Sequence, residues 1–352
     1  MKDCTYGKYS TGSGDILEND SMKEVFNKNS IKAYENEIAN NIFKMGIKNL
    51  ANIHVMNIGT GREAIAFLNL GAKFVSHYDY SKNNVRGLKE YVKINNIKNI
   101  SSVCADIVDY KLANGKYDLV YVHGIVQHFR HTGKGLLNII QSIKMGGKMW
   151  LYFYRSGTFS QFCLYLMRDL TKDVKNIYEY YIFALLMSSN NAKPNLLVSG
   201  FMDNCFSEYA NLFTPESYIN FVEDCGMKII GSSKLEFLDK HINHKEAHPS
   251  VILICKKIKQ PNGDINILSK SIDQLDTSLY SNEVVELIME YRKLIISDSG
   301  KMALAYRIFR IEREAHVDYL EKGYYDIEKW YKLLKDLFVN INCGLSLEYI
   351  ED

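Results

Sequence analysis

One stretch of the chain decides its fold: Ile53-His54-Val55-Met56-Asn57-Ile58-Gly59-Thr60-Gly61-Arg62-Glu63-Ala64-Ile65-Ala66. Its first half has the apolar side chains of a buried strand, and it then breaks into a turn at Gly59-Thr60-Gly61. Apolar residues at helical spacing follow and stop at Gly71. A strand, a glycine turn and a helix in this order place backbone N–H groups against the polar part of a nucleotide-like ligand. The stretch therefore predicts such a site, and the segments around it decide which ligand fits.

The sequence after this stretch alternates between strand patterns and helix patterns as far as Tyr154. Alternation at this spacing is typical of a parallel sheet with right-handed crossovers. A helix over about 30–45 precedes the first strand, and a capped helix that begins at Thr214-Pro215 leads into the last two strands. The predicted strands are 53–58, 73–79, 100–106, 117–123, 148–154, 227–230 and 250–255.

Three regions are predicted from the points where these patterns change. Residues 1–50 are a polar segment followed by a helix, and residues 51–260 form the α/β domain. Residues 261–352, which begin at a Pro-Asn-Gly turn, form a helical domain. Within the α/β domain, residues 156–212 are an aromatic-rich helical insertion. We predict that this insertion packs as a lid, with a partner-binding helix and a membrane-surface helix as the alternatives.

The overall composition is that of an ordinary globular protein. The chain has 352 residues, of which 47% are hydrophobic and 24% are charged, and this length suits about two domains. Its 43 basic and 41 acidic residues give a net charge of +2. This balance provides no electrostatic reason to expect a nucleic-acid partner.

Cysteine usage and hydropathy predict a cytoplasmic location. The seven cysteines are scattered and show no CxxC spacing, which indicates free thiols in a reducing compartment rather than a disulfide framework or a zinc site. The start of the sequence lacks the apolar core of a signal peptide, and no apolar run approaches the ~20 residues that span a bilayer. We therefore expect no membrane span.

Acidic residues after the second and third predicted strands indicate how a nucleoside could be held. Gly59-x-Gly61-x-x-Ala64, with Asp79 twenty residues beyond Gly59, fits the dinucleotide fingerprint, in which an acid binds the ribose hydroxyls. S-adenosylmethionine also has ribose hydroxyls and fits equally well. Asp106, at the end of the third predicted strand, could accept a hydrogen bond from an adenine amine. The glycine turn and Asp79 alone leave both cofactors open.

Taken in order, several segments of this chain resemble the class I S-adenosylmethionine-dependent methyltransferases of the small-molecule type. The resemblance covers about 53–154 and rests on 55–61, 78–81, 105–107, 117–128 and 145–148. It implies an α/β, Rossmann-like, seven-stranded and mostly parallel sheet with an antiparallel last strand, to which the helical insertion and the C-terminal helical region are added. It also implies S-adenosyl-L-methionine as the cofactor.

The resemblance further implies where this cofactor would lie. Its methionine part would lie over Gly59-Thr60-Gly61, its ribose on Asp79 and its adenine beside Asp106. The chain departs from the family in two places: the family usually has Asp or Glu where this chain has Asn57, and a third glycine where it has Glu63. The implied cofactor-binding residues are Asn57, Gly59, Thr60, Gly61, Asp79, Tyr80, Asp106, Ile107 and His123.

His123, His128 and Arg155 are the candidate catalytic residues, because they follow the fourth and fifth strands at the predicted binding edge. Methyl transfer from a sulfonium is an in-line displacement, so positioning supplies much of the rate, and a base is needed only when the acceptor arrives protonated. A histidine has a suitable pKa for that base, and His131 is a further candidate. The alternative is that the histidines only position the loop and that Arg155 pairs with an acid.

The cluster of His241, His244 and His248 could hold a metal if it were helical. No cysteine or paired acids complete such a site, so we predict a solvated connection between the last two strands and no metal. A role for one of these histidines in substrate binding stays open.

The sequence thus predicts a methyltransferase that acts on an O or N atom of a small molecule or saccharide. An NAD-dependent oxidoreductase is one alternative. A catalytically degenerate, methyltransferase-like binding or scaffold subunit is the other, and Asn57 and Glu63 motivate it. The C-terminal helices carry charges of both signs, which favours a packed appendage, a homodimer surface or a docking site for a partner protein over nucleic-acid binding.

Overall fold

The structure is a computed structural model that describes residues 26–173, 177–188, 198, 201–202, 204–206, 209–233, 250–261, 282–324 and 326–343. The histidine cluster at His241, His244 and His248 lies outside these residues, and so do residues 1–25 of the predicted N-terminal polar segment.

Strands and helices alternate in the order that the sequence predicts. The strands are β1 (His54–Ile58), β2 (Phe74–Asp79), β3 (Ile100–Cys104), β4 (Tyr117–His123), β5 (Ile143–Tyr154), β6 (Met227–Ser233) and β7 (Ser250–Lys257). The longer helices described are α1 (Lys28–Lys44), α2 (Arg62–Asn69), α3 (Lys82–Ile94), α4 (Thr132–Ser142), α5 (Phe159–Thr171), α6 (Ile177–Ser188), α7 (Pro215–Asp224), α8 (Asn282–Arg292), α9 (Asp298–Lys322) and α10 (Ile327–Asn342).

The seven strands form one sheet in the order β3-β2-β1-β4-β5-β7-β6. β7 runs antiparallel to both β5 and β6, and the other described pairs are parallel. The predicted Rossmann-like sheet with an antiparallel last strand is therefore confirmed. The chain changes direction across the sheet between β1 and β4, and ligands of open α/β sheets bind at the carboxyl end of such a switch point.

The central strands are buried on both faces, as parallel strands between helical layers are. Val55 and Met56 of β1 and residues 119–122 of β4 are fully buried. On one face, α1 packs against α2 through its buried residues Ile38 and Ile42. Asn41 of the same helix donates a hydrogen bond from Nδ2 to the Tyr121 hydroxyl over 2.9 Å. Helix α1 is thereby attached to the end of the sheet that carries the glycine turn.

The chain divides into two compact units. It leaves the first unit after Tyr154 and returns to it for the described residues 209–233 and 250–261. In the second unit, α5 packs along α9, where Ser160 Oγ donates to Glu312 Oε1 over 2.7 Å. In the aromatic-rich insertion, which the sequence predicts to pack as a lid, Tyr180 is buried and Leu186 is exposed. No helix among the described residues is both long enough and apolar enough to cross a bilayer.

A buried lysine joins β7 to the end of α4 in the first unit. Lys257 is 1% exposed, and its ammonium donates to the carbonyl oxygens of Ile140 and Ile143, each over 2.9 Å, and of Gln141 over 3.2 Å. The last carbonyls of a helix have no partner within it and carry partial negative charge. Because β7 is antiparallel, its last residues return to the edge of the sheet where α4 ends.

We predict that Lys257→Met lowers the free energy of unfolding by about 2–3 kcal/mol, because it leaves buried carbonyls without a charged donor. Urea unfolding of the whole chain measures the change. Lys256→Met is the matched control, since Lys256 is exposed and its loss should stay within about 0.5 kcal/mol. Equal effects of the two substitutions would contradict this account of Lys257.

Candidate functional site

The turn after β1 requires glycine at two positions. Gly59 has φ +134° and Gly61 has φ +94°, which are conformations that other L-residues rarely adopt. A Cβ on Gly61 would also lie 2.9 Å from Cδ2 of Leu88. Gly61 is the N-cap of α2, so the turn leads directly into the positive end of that helix.

His77 fixes the position of this turn through a hydrogen bond. It is fully buried in β2, and its Nε2 lies 2.5 Å from the carbonyl oxygen of Gly59, while its Nδ1 lies 2.9 Å from Oγ of Ser102. Because a carbonyl only accepts, Nε2 carries the proton and Nδ1 accepts from the serine. Burial lowers the pKa of His77 to about 4, although the bond to Gly59 acts in the opposite direction. The ring is therefore neutral at pH 7.

Strand register brings the turn level with the acidic residues of the next two strands. Ile58 pairs with Tyr78, so Gly59 lies beside Asp79, and Asp79 in turn pairs with Cys104. The backbone N–H of Ala105 also donates to the carbonyl oxygen of Asp79 over 2.9 Å. The ends of β1, β2 and β3 are thereby fixed against one another.

Asp79 is buried between two donors. Its Oδ1 accepts from the backbone N–H of Ser81 over 2.6 Å, and its Oδ2 accepts from Nδ2 of Asn84 over 3.1 Å. Burial raises the pKa of Asp79 to about 7, against the lowering effect of both hydrogen bonds. No cationic side chain contributes to this shift among the described residues, so ionisation is costly until a further donor arrives.

A cavity opens at this edge and collects five of the predicted site residues: Asp79, Tyr80, Asp106, Ile107 and His128. Its other lining residues are Ile58, Ala105, Ile125, Phe129, Arg130 and Tyr209. All of them belong to the first unit. Aliphatic and aromatic walls with a few carboxylates suit the flat base and the ribose of a nucleoside.

Asp106 lies two residues beyond the end of β3, where the sequence placed it at the end of the strand. Its Oδ1 accepts from the backbone N–H of Val108 over 2.9 Å, and this side-chain turn ends the strand early. Its Oδ2 accepts from Nη2 of Arg130 over 3.1 Å, and Arg130 also pairs with Asp109. Arg130, which the sequence did not single out, orients Asp106 at the cavity wall.

Glu63, Asn57 and His123 form a second cluster beside the glycine turn. Glu63 lies in the first turn of α2, with Oε1 at 3.1 Å from Nδ1 of His123 and Oε2 accepting from Nδ2 of Asn57 over 3.3 Å. Burial opposes the charged forms of both partners. Against burial, the hydrogen bond and the attraction between the two residues lower the pKa of Glu63 and raise the pKa of His123. The charge of Arg62 also lowers the pKa of Glu63, and the charge of Glu37 also raises the pKa of His123.

Both ring nitrogens of His123 therefore face carboxylates, since Nε2 lies 3.7 Å from Oε1 of Glu37 on α1. A ring held in this way favours its protonated form. His128 differs, because its Nδ1 lies 2.9 Å from the carbonyl oxygen of Tyr209 and must donate there. In the neutral ring, Nε2 of His128 is then the basic nitrogen, on a residue that lines the cavity.

Arg155, His131 and Thr60 do not line the cavity. Arg155 is buried at the start of the second unit, and its Nε donates to the carbonyl oxygen of Ser156 over 3.4 Å. His131 is exposed at the start of α4. Thr60 accepts from Nε of Arg62 over 3.2 Å at the glycine turn.

Comparison with known protein families identifies the segment that carries these features. Residues 56–151 match a family model described as a methyltransferase domain. This part of the chain is similar to methyltransferase domains. The match spans β1 to β5 and so includes the glycine turn, Asp79, Asp106 and His123, and it confirms the family that the sequence resembles. No curated protein sequence matches the chain.

Solved structures show distant similarity to the chain. The [4+2]-cyclase SpnF is 9% identical, with 64% of this chain and 81% of that one covered and a TM-score of 0.41. The YcgJ protein from Bacillus subtilis is 11% identical, with 66% and 100% covered and a TM-score of 0.42. The N-methyltransferase NodS from Bradyrhizobium japonicum WM9 is 10% identical, with 64% and 98% covered and a TM-score of 0.39. Similarity at this level carries no argument about activity.

In the methyltransferase domain, Asp79 makes stability depend on pH. The folded chain holds the Asp79 proton to about pH 7, whereas an ordinary aspartate has a pKa of 3.8. Stability from this group is therefore full below about pH 4 and is lost as the pH rises through 7. We predict that Asp79→Asn abolishes this dependence, which lowers the free energy of unfolding of wild type by up to about 4 kcal/mol at high pH, at 1.36 kcal/mol per pKa unit.

Urea unfolding of wild type and variant at pH 5 and pH 8 measures the difference. Asp118→Asn is the control, and it should keep the wild-type difference between pH 5 and pH 8: burial opposes the charge of Asp118, but hydrogen bonds from Lys144 and from the backbone N–H of His54 lower its pKa. Its contribution is present above pH 4 and lost in acid. A parallel pH dependence of wild type and Asp79→Asn would contradict the prediction.

Proposed function

We propose that this chain transfers a methyl group from S-adenosyl-L-methionine to an O or N atom of a small molecule or saccharide. One observation carries the proposal: Asp79, Tyr80, Asp106 and Ile107 line a single cavity next to the glycine turn of a methyltransferase domain. The carboxylate at the end of β2 can accept hydrogen bonds from ribose hydroxyls, and the carboxylate that follows β3 can accept one from an adenine amine.

The residues around the glycine turn fit the amino acid end of this cofactor better than a diphosphate. Oδ1 of Asn57 is fully buried and has no hydrogen-bond partner among the described residues. A donor such as an ammonium would satisfy it. The carboxylate of Glu63 lies beside it. A dinucleotide would bring phosphate oxygens against these acceptors, and this supports S-adenosylmethionine over NAD.

When bound, S-adenosylmethionine supplies an electrophilic methyl group on a sulfonium. We propose His128 as the base, because it lines the cavity and its Nδ1 donates to the carbonyl oxygen of Tyr209, which makes Nε2 the proton-accepting nitrogen of the neutral ring. An O or N acceptor that arrives protonated would lose its proton to this nitrogen. His123, held between carboxylates, would position the methionine end. We also propose that Arg155 contacts an anionic or sugar-like acceptor and that residues 156–212 determine which acceptor is bound.

We predict that the chain binds S-adenosylhomocysteine and that Asp79→Asn weakens binding about tenfold or more at pH 8, because a charged acceptor for the ribose hydroxyls is lost. At pH 6, below the pKa of about 7 of Asp79, the difference between wild type and variant should shrink. Isothermal titration calorimetry measures both affinities.

Asp118→Asn serves as the binding control, since Asp118 lies at the opposite, amino-terminal end of β4. It should leave the affinity unchanged. A folded wild-type chain that binds no S-adenosylhomocysteine at millimolar concentration would refute the proposal. Binding of NADH in its place would favour an oxidoreductase, and binding of neither would favour a scaffold subunit.

A further inference from the structure

We propose that Glu63 is the counter-ion for the amino group of the cofactor's methionine end, and that it replaces the acid that the family usually carries where this chain has Asn57. This inference rests on the proposed function. It assigns a specificity-determining role to a side chain at a position where the family usually has none.

The Glu63 carboxylate lies directly against the glycine turn. Its Oε2 is 3.7 Å from the position that a Cβ on Gly59 would take, so the carboxylate lies close to the turn. Glu63 is 7% exposed and sits in the first turn of α2, where the helix N-terminus favours a negative charge. The charge is therefore stabilised at the turn over which the methionine end would lie.

Asn57 and Glu63 together leave acceptors that need a donor. The Asn57 amide uses Nδ2 to bond Oε2 of Glu63, which leaves Oδ1 of the same planar group buried and unpaired among the described residues. The carbonyl of Gly59 already accepts from His77. An ammonium has three donors and no acceptor. The unpaired Oδ1 of Asn57 matches one of them. The Glu63 carboxylate, whose oxygens already bond Asn57 and His123, has lone pairs left for a second.

A positive charge also lies beside the turn. Arg62 donates from Nε to Oγ1 of Thr60 over 3.2 Å, and its guanidinium lies 4.9 Å from the ring centre of Tyr34. A methionine end is zwitterionic. A carboxylate and a guanidinium on adjacent residues, Glu63 and Arg62, therefore offer one counter-charge for its ammonium and one for its carboxylate.

The test compares two ligands that differ in this end alone. S-adenosylhomocysteine has the amino acid group, and 5′-methylthioadenosine keeps the adenosine and the sulfur but lacks it. In calorimetry, wild type should bind S-adenosylhomocysteine more tightly than 5′-methylthioadenosine. Glu63→Gln should weaken S-adenosylhomocysteine about tenfold, because a charged hydrogen bond is lost, and leave 5′-methylthioadenosine unchanged.

Two further variants complete the design. Glu35→Gln removes the same charge from the surface of α1, where Glu35 pairs with Lys32 and Asn69, and should change neither affinity. Adding Asn57→Asp to Glu63→Gln returns a carboxylate to the family's position. This double variant should regain the preference for S-adenosylhomocysteine, and it tests the idea even if Glu63→Gln alone folds poorly.

The outcomes separate this inference from the proposed function. Wild type that binds neither ligand would refute the proposed function itself. Wild type that binds S-adenosylhomocysteine, with an unchanged preference in Glu63→Gln, would overturn the role of Glu63 and leave the proposed function standing. Equal losses of both ligands in Glu63→Gln would indicate a structural role only and would also overturn it.

Discussion

The candidate site depends on one buried hydrogen bond, from Nε2 of His77 to the carbonyl oxygen of Gly59. It joins the glycine turn to β2, and the pairing of Ile58 with Tyr78 keeps the ends of the two strands at one level. Because the ring of His77 is fully buried, no water competes for this bond. The positions of the turn and of Asp79 at the mouth of the cavity follow from it.

Two carboxyl groups near this turn show how surroundings decide charge. Asp79 has amide donors but no cation among the described residues, and burial dominates its pKa. Glu63 is also buried, yet its interactions with His123, Arg62 and Asn57 together outweigh burial and lower its pKa. A buried acid is charged when a counter-ion offsets the cost of its desolvation. The site therefore combines an acid whose pKa is lowered with one that titrates near neutral pH.

Much of the fold follows from local patterns that a sequence displays directly. Strand and helix patterns predicted the sheet and the helices to within five residues, because strands buried on both faces show apolar runs and helices buried on one face show a period of about 3.6 residues. The third strand was placed two residues too long, because its pattern runs on to Asp106 while the Asp106 side chain turns the backbone there. The acids that line the cavity could be predicted, since parallel strands end at one edge. His77, Arg130 and Lys257 were missed, because each acts through a partner distant in the sequence.

The sequence by itself determined the alternation of strands and helices in the central domain, the positions of its glycines and the acids at the ends of the second and third strands, because these depend on spacing along the chain. Only the tertiary structure decided which groups are charged and which are paired. Glu63 could be read from the sequence as a departure from the family, but its contact with Asn57 and His123 could not. Burial and counter-ions come from segments that meet only when the sheet forms, and they set the chemistry of the site.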